Sequence, residues 1–204
     1  MTEEEAVALI EDQFGSTVRD KIGHFLKLVA DENERQNLVS ASTLPQLWTR
    51  HALDSVQLVR RAEGRPGLWI DIGSGGGFPG IPVAIAREDA MLLVEPRRKR
   101  ADFLSHAAET LGLSQRVRVK QAKMEKVVES GTILSARAVS GIEPLFEMAH
   151  QCASAATRWL LPRGRIASEE IDDLRQRWKF LFHVEQSDVS PDSQIAIFDG
   201  VKRL

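Results

Sequence analysis

The sequence predicts an α/β fold: a seven-stranded, mostly parallel sheet with helices on both faces, ending in an antiparallel hairpin and carrying an N-terminal helical extension. Three observations predict it. Beyond residue 67, short apolar runs of strand character alternate with helical periodicity in four β-then-α steps, the pattern of a parallel sheet with right-handed crossovers. Near the C-terminus, the runs 180–186 and 194–198 have only a loop between them, which reads as an antiparallel pair. The first 66 residues place apolar side chains at helical spacing and show no evident strand pair. Gly64, Pro66 and Gly67 mark the boundary between a helical segment, 1–66, packed on the core, and a sheet domain, 67–204.

Within the helical segment, Thr2 and Glu5 make a capping box ahead of the stripe Ala6, Leu9, Ile10 and Phe14, and Gly15 stops that helix. Ser16 is expected to cap a second helix carrying Val18, Ile22, Phe25, Leu26 and Val29. A polar run, 31–37, and a short extended piece, 38–42, follow. A third helix is expected to start at Thr43 or Leu44 with Pro45 in its first turn, and to run through Leu47, Trp48, His51, Leu53, Val56 and Leu58 toward Ala62. His51, Asp54 and Ser55 share one side of it. A catalytic triad needs its serine on a strained elbow and its acid across the fold, so a polar network between this helical segment and the glycine-rich loop at 73–80 is the better reading, with a plain helix surface as the alternative.

In the sheet domain, strands are expected at 68–72, 91–94, 116–120, 133–136 and 158–161, with helices at 81–87, 99–111, near 124–128, at 143–155 and from 168 or 169 to 178. Ala101, Leu104, Ala108 and Leu111 line one face of the helix that Gly112 ends. Ser140 and Glu143 form a second capping box, with Pro144 just inside it.

The first strand runs into a turn with five glycines in eight residues, 73–80. Gly73, Gly75 and Gly77 have the spacing GxGxG and permit close approach of a ligand to backbone. No Lys-Ser or Lys-Thr follows, so a triphosphate grip is absent. Glu95 ends the second strand, 22 residues after Gly73, where an acid can accept both ribose hydroxyls of an adenosine. A dinucleotide and S-adenosylmethionine both satisfy this. GxGxG in place of the pyrophosphate-cradling GxGxxG, together with the closing hairpin, favours S-adenosylmethionine and a class I methyltransferase fold. Asp71 stands either beside the ligand's amino-acid part or as a cap for the turn. Met124 and Glu125 follow the third strand, where the adenine would lie; Met124 serves the ring or the core.

Net charge is −2, which excludes a generally basic nucleic-acid coat. Charge is nonetheless concentrated: residues 95–126 hold nine Lys or Arg against four Asp or Glu, 9 − 4 = +5. Arg97, Arg98, Lys99 and Arg100 lead this stretch from the carboxyl end of a strand, so an acidic polymer such as RNA is a fitting partner. Arg137 ends the fourth strand among small residues and needs an acceptor: a cofactor carboxylate, a target base or an RNA phosphate. Arg163 and Arg165 end the fifth. The single cysteine, Cys152, excludes an internal disulfide and reads as a buried spacer. There is no apolar run of membrane-spanning length, and Glu3, Glu4 and Glu5 lack the basic start of a signal peptide. A cytoplasmic monomer with no metal and no membrane partner is expected.

Several blocks together resemble the bacterial 16S ribosomal RNA guanine-N7 methyltransferases, the glucose-inhibited division protein B family. They are Asn37-Leu38, Arg50-His51 with Asp54-Ser55, Asp71 to Pro82, Lys99-Arg100 with Phe103-Leu104, Ser135 to Ala138, and Leu161 to Gly164. Phe78-Pro79-Gly80 is the most specific part. The sequence departs from the family at Glu32, Val39, Lys123 and Arg163. The resemblance implies methyl transfer from S-adenosylmethionine to N7 of one guanosine in 16S ribosomal RNA, leaving S-adenosylhomocysteine. The partner would be the 30S subunit or its assembly precursor. It implies that Gly73 and Phe78 line the cofactor, Met124 and Glu125 its adenine, and Arg137 the cofactor or substrate side. His51, Asp54, the basic run, Arg163 and Arg165 would then face the RNA. A methyltransferase of another substrate, or a cofactor-binding accessory protein without transfer activity, is the alternative.

Overall fold

The computed structural model describes residues 1–137 and 141–204. Helix α1, Glu3–Phe14, opens with the expected capping box: the Glu5 amide donates to Thr2 Oγ1 at 3.2 Å and the Thr2 amide to Glu5 Oε2 at 2.7 Å. Helix α2, Ser16–Asn33, follows after the single residue Gly15. Ser16 does not cap it; Gly15 occupies that position, and no side chain bonds the first turn.

The third helix is not continuous. Ala41–Gln46 forms 3₁₀ turns containing Pro45, Trp48–Leu53 forms wide π-type turns, and short α-helical pieces follow, α3 (Asp54–Val56) and α4 (Leu58–Arg61). Proline cannot donate to a helical ladder. The Glu3 carboxylate starts a fresh helical stretch by accepting the Trp48 and Thr49 amides at 2.9 Å each and the Thr49 hydroxyl at 2.7 Å. Ser55 Oγ donates back to the His51 carbonyl at 2.5 Å, a bond that loosens helices.

The sheet domain follows the alternating pattern: β1 (Trp69–Ile72), α5 (Gly80–Ala86), β2 (Met91–Val94), α6 (Arg98–Thr110), β3 (Val117–Lys120), β4 (Ile133–Ala136), α7 (Ile142–Ala149), β5 (Arg158–Gly164), α8 (Ser168–Arg175), β6 (Trp178–Gln186) and β7 (Ser193–Arg203). The piece at Met124–Lys126 is a 3₁₀ turn. Helix α7 ends before the expected 155 and passes into a 3₁₀ turn at His150–Cys152. Its expected capping residue, Ser140, and the family-block residue Ala138 lie outside the described residues. The sheet order is β3-β2-β1-β4-β5-β7-β6, with β7 antiparallel to both neighbours and the other pairs parallel.

Alternate residues of each strand feed two cores. Trp69, Met91, Leu93, Ile133 and Leu160 pack on one face with α1, α2, α5 and α6. Ile70, Ile72, Leu92, Val94 and Leu134 pack on the other with α7 and α8. There Phe146 meets Trp159, Trp178 and Phe198 edge-on, at ring separations of 5.0, 5.4 and 5.1 Å, each worth about 0.5–1.5 kcal/mol beyond its buried area. Cys152 is buried in this core with its thiol toward the Val127 carbonyl, and burial pushes its pKa up to about 11. Among the described residues, no helix is long and apolar enough to cross a membrane.

Candidate active site

β1 lies between β2 and β4, and strand order reverses at the β1–β4 pair. Open sheets bind ligands at the carboxyl ends of the strands at such a point. Ile72 pairs with Ala136, so Gly73 and Arg137 leave the sheet side by side.

In the turn after β1, Gly73 and Gly75 have φ of 66° and 54°, a conformation that costs glycine little. The Gly75 amide donates to Glu95 Oε2 at 2.9 Å, and the Arg97 amide donates to Glu95 Oε1 at 2.8 Å. Glu95 is thereby fixed beneath the turn, 3 % exposed. Each carboxylate oxygen retains a second acceptor site, which suits a vicinal diol. Gly77 also packs closely on the N-terminal segment. Its φ is 92°, and a Cβ there would stand 2.7 Å from Phe25 Cζ of α2. A Cβ on Gly76 would stand 3.1 Å from Leu38. The second half of the glycine run thus seats the N-terminal segment.

Phe78, after the turn, is buried against Phe25 and His51 at ring separations of 5.1 and 4.9 Å, and its peptide to Pro79 is cis. The Arg137 guanidinium lies 5.2 Å from the Phe78 ring centroid. That guanidinium is held by three donations into the N-terminal segment: to the Arg50 carbonyl at 2.9 Å, to Asp54 Oδ2 at 3.2 Å and to His51 Nδ1 at 2.7 Å. Burial, with Arg137 and Arg50 nearby, lowers the His51 pKa to about 3. The imidazole is therefore neutral. With Nδ1 accepting, its proton sits on Nε2, which donates to Thr43 Oγ1 at 2.9 Å. Burial raises the Asp54 pKa, while Arg137 opposes the rise. The Ser55 hydroxyl is buried and committed to the His51 carbonyl, so His51, Asp54 and Ser55 form a polar network and not a nucleophilic site. Among the described residues its hydrogen bonds run to Arg137, Thr43 and Gln57 and not to the glycine loop, which the network meets through the His51 ring on Phe78.

Asp71 is fully buried. Its Oδ1 accepts from Ser135 Oγ at 2.7 Å, and Ser135 accepts from Trp69 Nε1 at 2.8 Å. Burial raises its pKa to about 6. It lies within the turn's support, with its other oxygen against Gly80. Met124 is buried in the second core and Glu125 is exposed. Arg97, Arg98 and Lys99 are exposed; among the described residues Arg98 reaches Asp102, at 3.7 Å. Arg100 instead donates to the Asn37 carbonyl at 2.9 Å. At the far end of β5, Arg163 stands 4.0 Å from Glu170 and Arg165 3.8 Å from Asp192.

Gln57 carries no expectation from sequence, yet it is central. Fully buried, it donates to Asp54 Oδ1 at 2.9 Å and to Ser187 Oγ at 3.1 Å, and accepts from the Asp188 amide at 2.9 Å. Arg61 adds a donation to the Gln186 carbonyl at 3.1 Å. These bonds join the N-terminal segment to the β6–β7 connection. A cleft of about 350 Å³ lies between them, with Leu38, Val39 and Thr43 on one side, Val189 and Ser193 on the other, and Arg50, His51, Asp54 and Arg137 completing it. Only a lone glutamine at an otherwise apolar helical position could have signalled this joint.

Residues 19–194 match the family model described as rRNA small subunit methyltransferase G. The ribosomal RNA small subunit methyltransferase G of Rhizorhabdus wittichii is 41 % identical, over 99 % of this chain and 94 % of its own. That of Sphingopyxis alaskensis is 43 % identical, over 88 % and 78 %. Among solved structures, a methyltransferase from Geobacter sulfurreducens superposes with a TM-score of 0.61 at 14 % identity, over 86 % and 89 %, which is a likeness of fold.

Proposed function

The chain belongs to the rRNA small subunit methyltransferase G family, and we propose that it transfers the methyl group of S-adenosylmethionine to N7 of a guanosine in 16S ribosomal RNA. The observation that carries the cofactor assignment is the Gly75–Glu95 pair: a buried carboxylate fixed by backbone amides beneath a glycine turn, at the point where strand order reverses. Gly73 and Gly75 would hold the cofactor by close backbone approach, Glu95 its ribose, and Met124 and Glu125 its adenine end. Bound there, the cofactor supplies an electrophilic methyl group on a sulfonium.

Guanine N7 carries an in-plane lone pair and no proton, so its attack on a methyl carbon requires no general base. The protein's share of the work is alignment and a field tolerant of shifting positive charge. Arg137 suits that role, because three partners and the Phe78 ring fix its guanidinium beside the glycine turn. His51 and Asp54 hold Arg137. Arg97, Arg98 and Lys99, with Arg163 and Arg165 beyond, form a cationic edge for RNA phosphates. The division of labour follows the chain: 67–204 binds the cofactor, and 1–66 completes the substrate side. The protein acts as a cytoplasmic monomer on the 30S subunit or its assembly precursor.

The test is transfer of labelled methyl from S-adenosylmethionine to small subunits, and to their free RNA, from cells lacking this protein, followed by nucleotide mapping. One labelled guanosine, with the mark at N7, is expected. Label on another RNA or on protein, or cofactor binding without any transfer, overturns the assignment.

A further inference from the structure

We propose that the cleft between the N-terminal segment and the β6–β7 connection is the pocket for the target nucleoside, and that its donor-rich edge selects guanine over adenine. The inference rests on the methyltransferase reading above and concerns where, and by what chemistry, the base is held.

Position comes first. Arg137, which lines the cleft, leaves the sheet beside Gly73, so the cleft opens next to the glycine turn. Size comes second. About 350 Å³ falls in the range of small-molecule sites and accommodates one nucleoside but not a paired duplex. Enzymes that modify a base commonly draw it out of its stack into such a pocket. Leu38, Val39 and Val189 supply apolar cover for the faces of a purine ring.

The third argument is the balance of donors and acceptors. Asp54 Oδ1 already accepts from Gln57, and Oδ2 from Arg137. His51 Nδ1 accepts from Arg137, and the imidazole stays neutral. Each of these accepting atoms thus faces an internal donor, and the Asp54 oxygens keep second acceptor sites as those of Glu95 do. The Ser193 hydroxyl and the guanidinium groups of Arg50 and Arg137 can donate, whereas the Thr43 hydroxyl is committed to the Ser40 carbonyl at 2.9 Å. Beside its N7, guanine presents O6, a second acceptor, whereas adenine presents an amino donor. Guanidinium groups on that edge pair with O6 but set donor against donor at the amino group of adenine, which disfavours adenine. Gln57 ties Asp54 to the Ser187 hydroxyl and the Asp188 amide, and Arg60 pairs with Asp188. The two sides of the cleft therefore keep a fixed spacing.

Two measurements test this with the full-length protein. In the first, Val189→Trp fills the cleft from the connection side. It is expected to lower methyl transfer to unmodified small subunits by about 100-fold or more while calorimetric affinity for S-adenosylmethionine stays within about 2-fold. Transfer near the wild-type rate, or cofactor affinity lost in step with transfer, overturns the proposal. The second uses the wild-type protein and so is independent of the variant's folding. Reconstituted subunits carry inosine or adenosine in place of the target guanosine. Inosine keeps O6 and N7, and its methylation is expected within about 10-fold of guanosine; adenosine keeps N7 alone, and a loss of about 100-fold or more is expected. Equal transfer to both removes the donor-edge argument. Absence of transfer to the unsubstituted guanosine sinks the methyltransferase reading itself, a result distinct from either failure.

Discussion

Arg137 and the run Arg97, Arg98 and Lys99 leave the same edge of the sheet, after β4 and β2, yet the fold treats them in opposite ways. The Arg137 side chain is 17 % exposed and has three hydrogen-bond partners and an aromatic face. The Arg98 side chain is 83 % exposed, with one distant carboxylate. A cation taken from water is costly unless its bonds are replaced; the N-terminal segment replaces them, and the guanidinium gains a fixed position. A hydrated cation keeps its freedom and acts through its field over roughly a Debye length, about 8–10 Å. One arrangement suits orientation of a reacting group, the other attraction of a polyanion.

The comparison breaks most sharply at Arg137. Arg137→Ala is expected to lower methyl transfer by about 10²–10³-fold, the scale for losing a fixed electrostatic group, with a cooperative melting transition kept at reduced stability because Asp54 and His51 lose a partner. Arg137→Lys should not restore it, since a single ammonium cannot reproduce the planar fork. Wild-type transfer by either variant would place Arg137 with the exposed cations. Next comes Asp54→Ala, which takes away a main anchor. A loss of about 1–3 kcal/mol in chemical denaturation is expected from the partners left unsatisfied, together with slower transfer; unchanged stability would mean the guanidinium is not held through this carboxylate. Removing Arg97, Arg98 and Lys99 together by alanine should leave turnover in the bound complex intact. Affinity for small subunits should fall, and the slope of log K against log salt should decrease by about 3, near one unit per lost phosphate contact. An unchanged slope excludes the run from the interface.

The smallest effect is on pH dependence. His51 faces Arg137 and Arg50 and lies beside Asp54, and its folded pKa of about 3 is below the ordinary 6.5. The unfolded chain takes up this proton first, so its contribution is fully present above pH 6.5 and is lost as pH falls toward 3. Asp71 has the opposite slope: its folded pKa of about 6 exceeds the ordinary 3.8, so its contribution is present below pH 3.8 and lost as pH rises through 6. Denaturation curves between pH 4 and 7 should therefore fall less steeply toward acid in His51→Asn than in the wild type. Parallel curves would show that His51 is not held neutral.

Local chemistry made the sheet domain legible. Buried parallel strands read as apolar runs, 69–72 and 91–94, and glycines ended the elements between them. Glu95 was legible because its offset from the glycine turn reflects one β-α-β unit. The break in the third helix was not, because it depends on Glu3 capping residues 45 and 46 positions away. Gln57 was equally silent, since its partners Ser187 and Asp188 lie 130 and 131 positions on. Arg137 was marked as needing an acceptor, but periodicity does not reveal which distant segment provides it. The packing of Gly77 on Phe25 was not legible either, because spacing records backbone freedom and not the neighbour beside it.

That neighbour has a consequence for synthesis. The apolar side of α2, with Ile22, Phe25, Leu26 and Val29, closes on the glycine turn and α5, which leave the ribosome about 50 residues later. At ~5–20 residues per second, the nascent helix waits ~3–10 seconds for its cover. Meanwhile α1 can shield only part of the stripe, and the remainder is available to chaperones or to other growing chains. Slowing translation between codons 34 and 77 lengthens that exposure, whereas the finished protein's equilibrium stability is untouched.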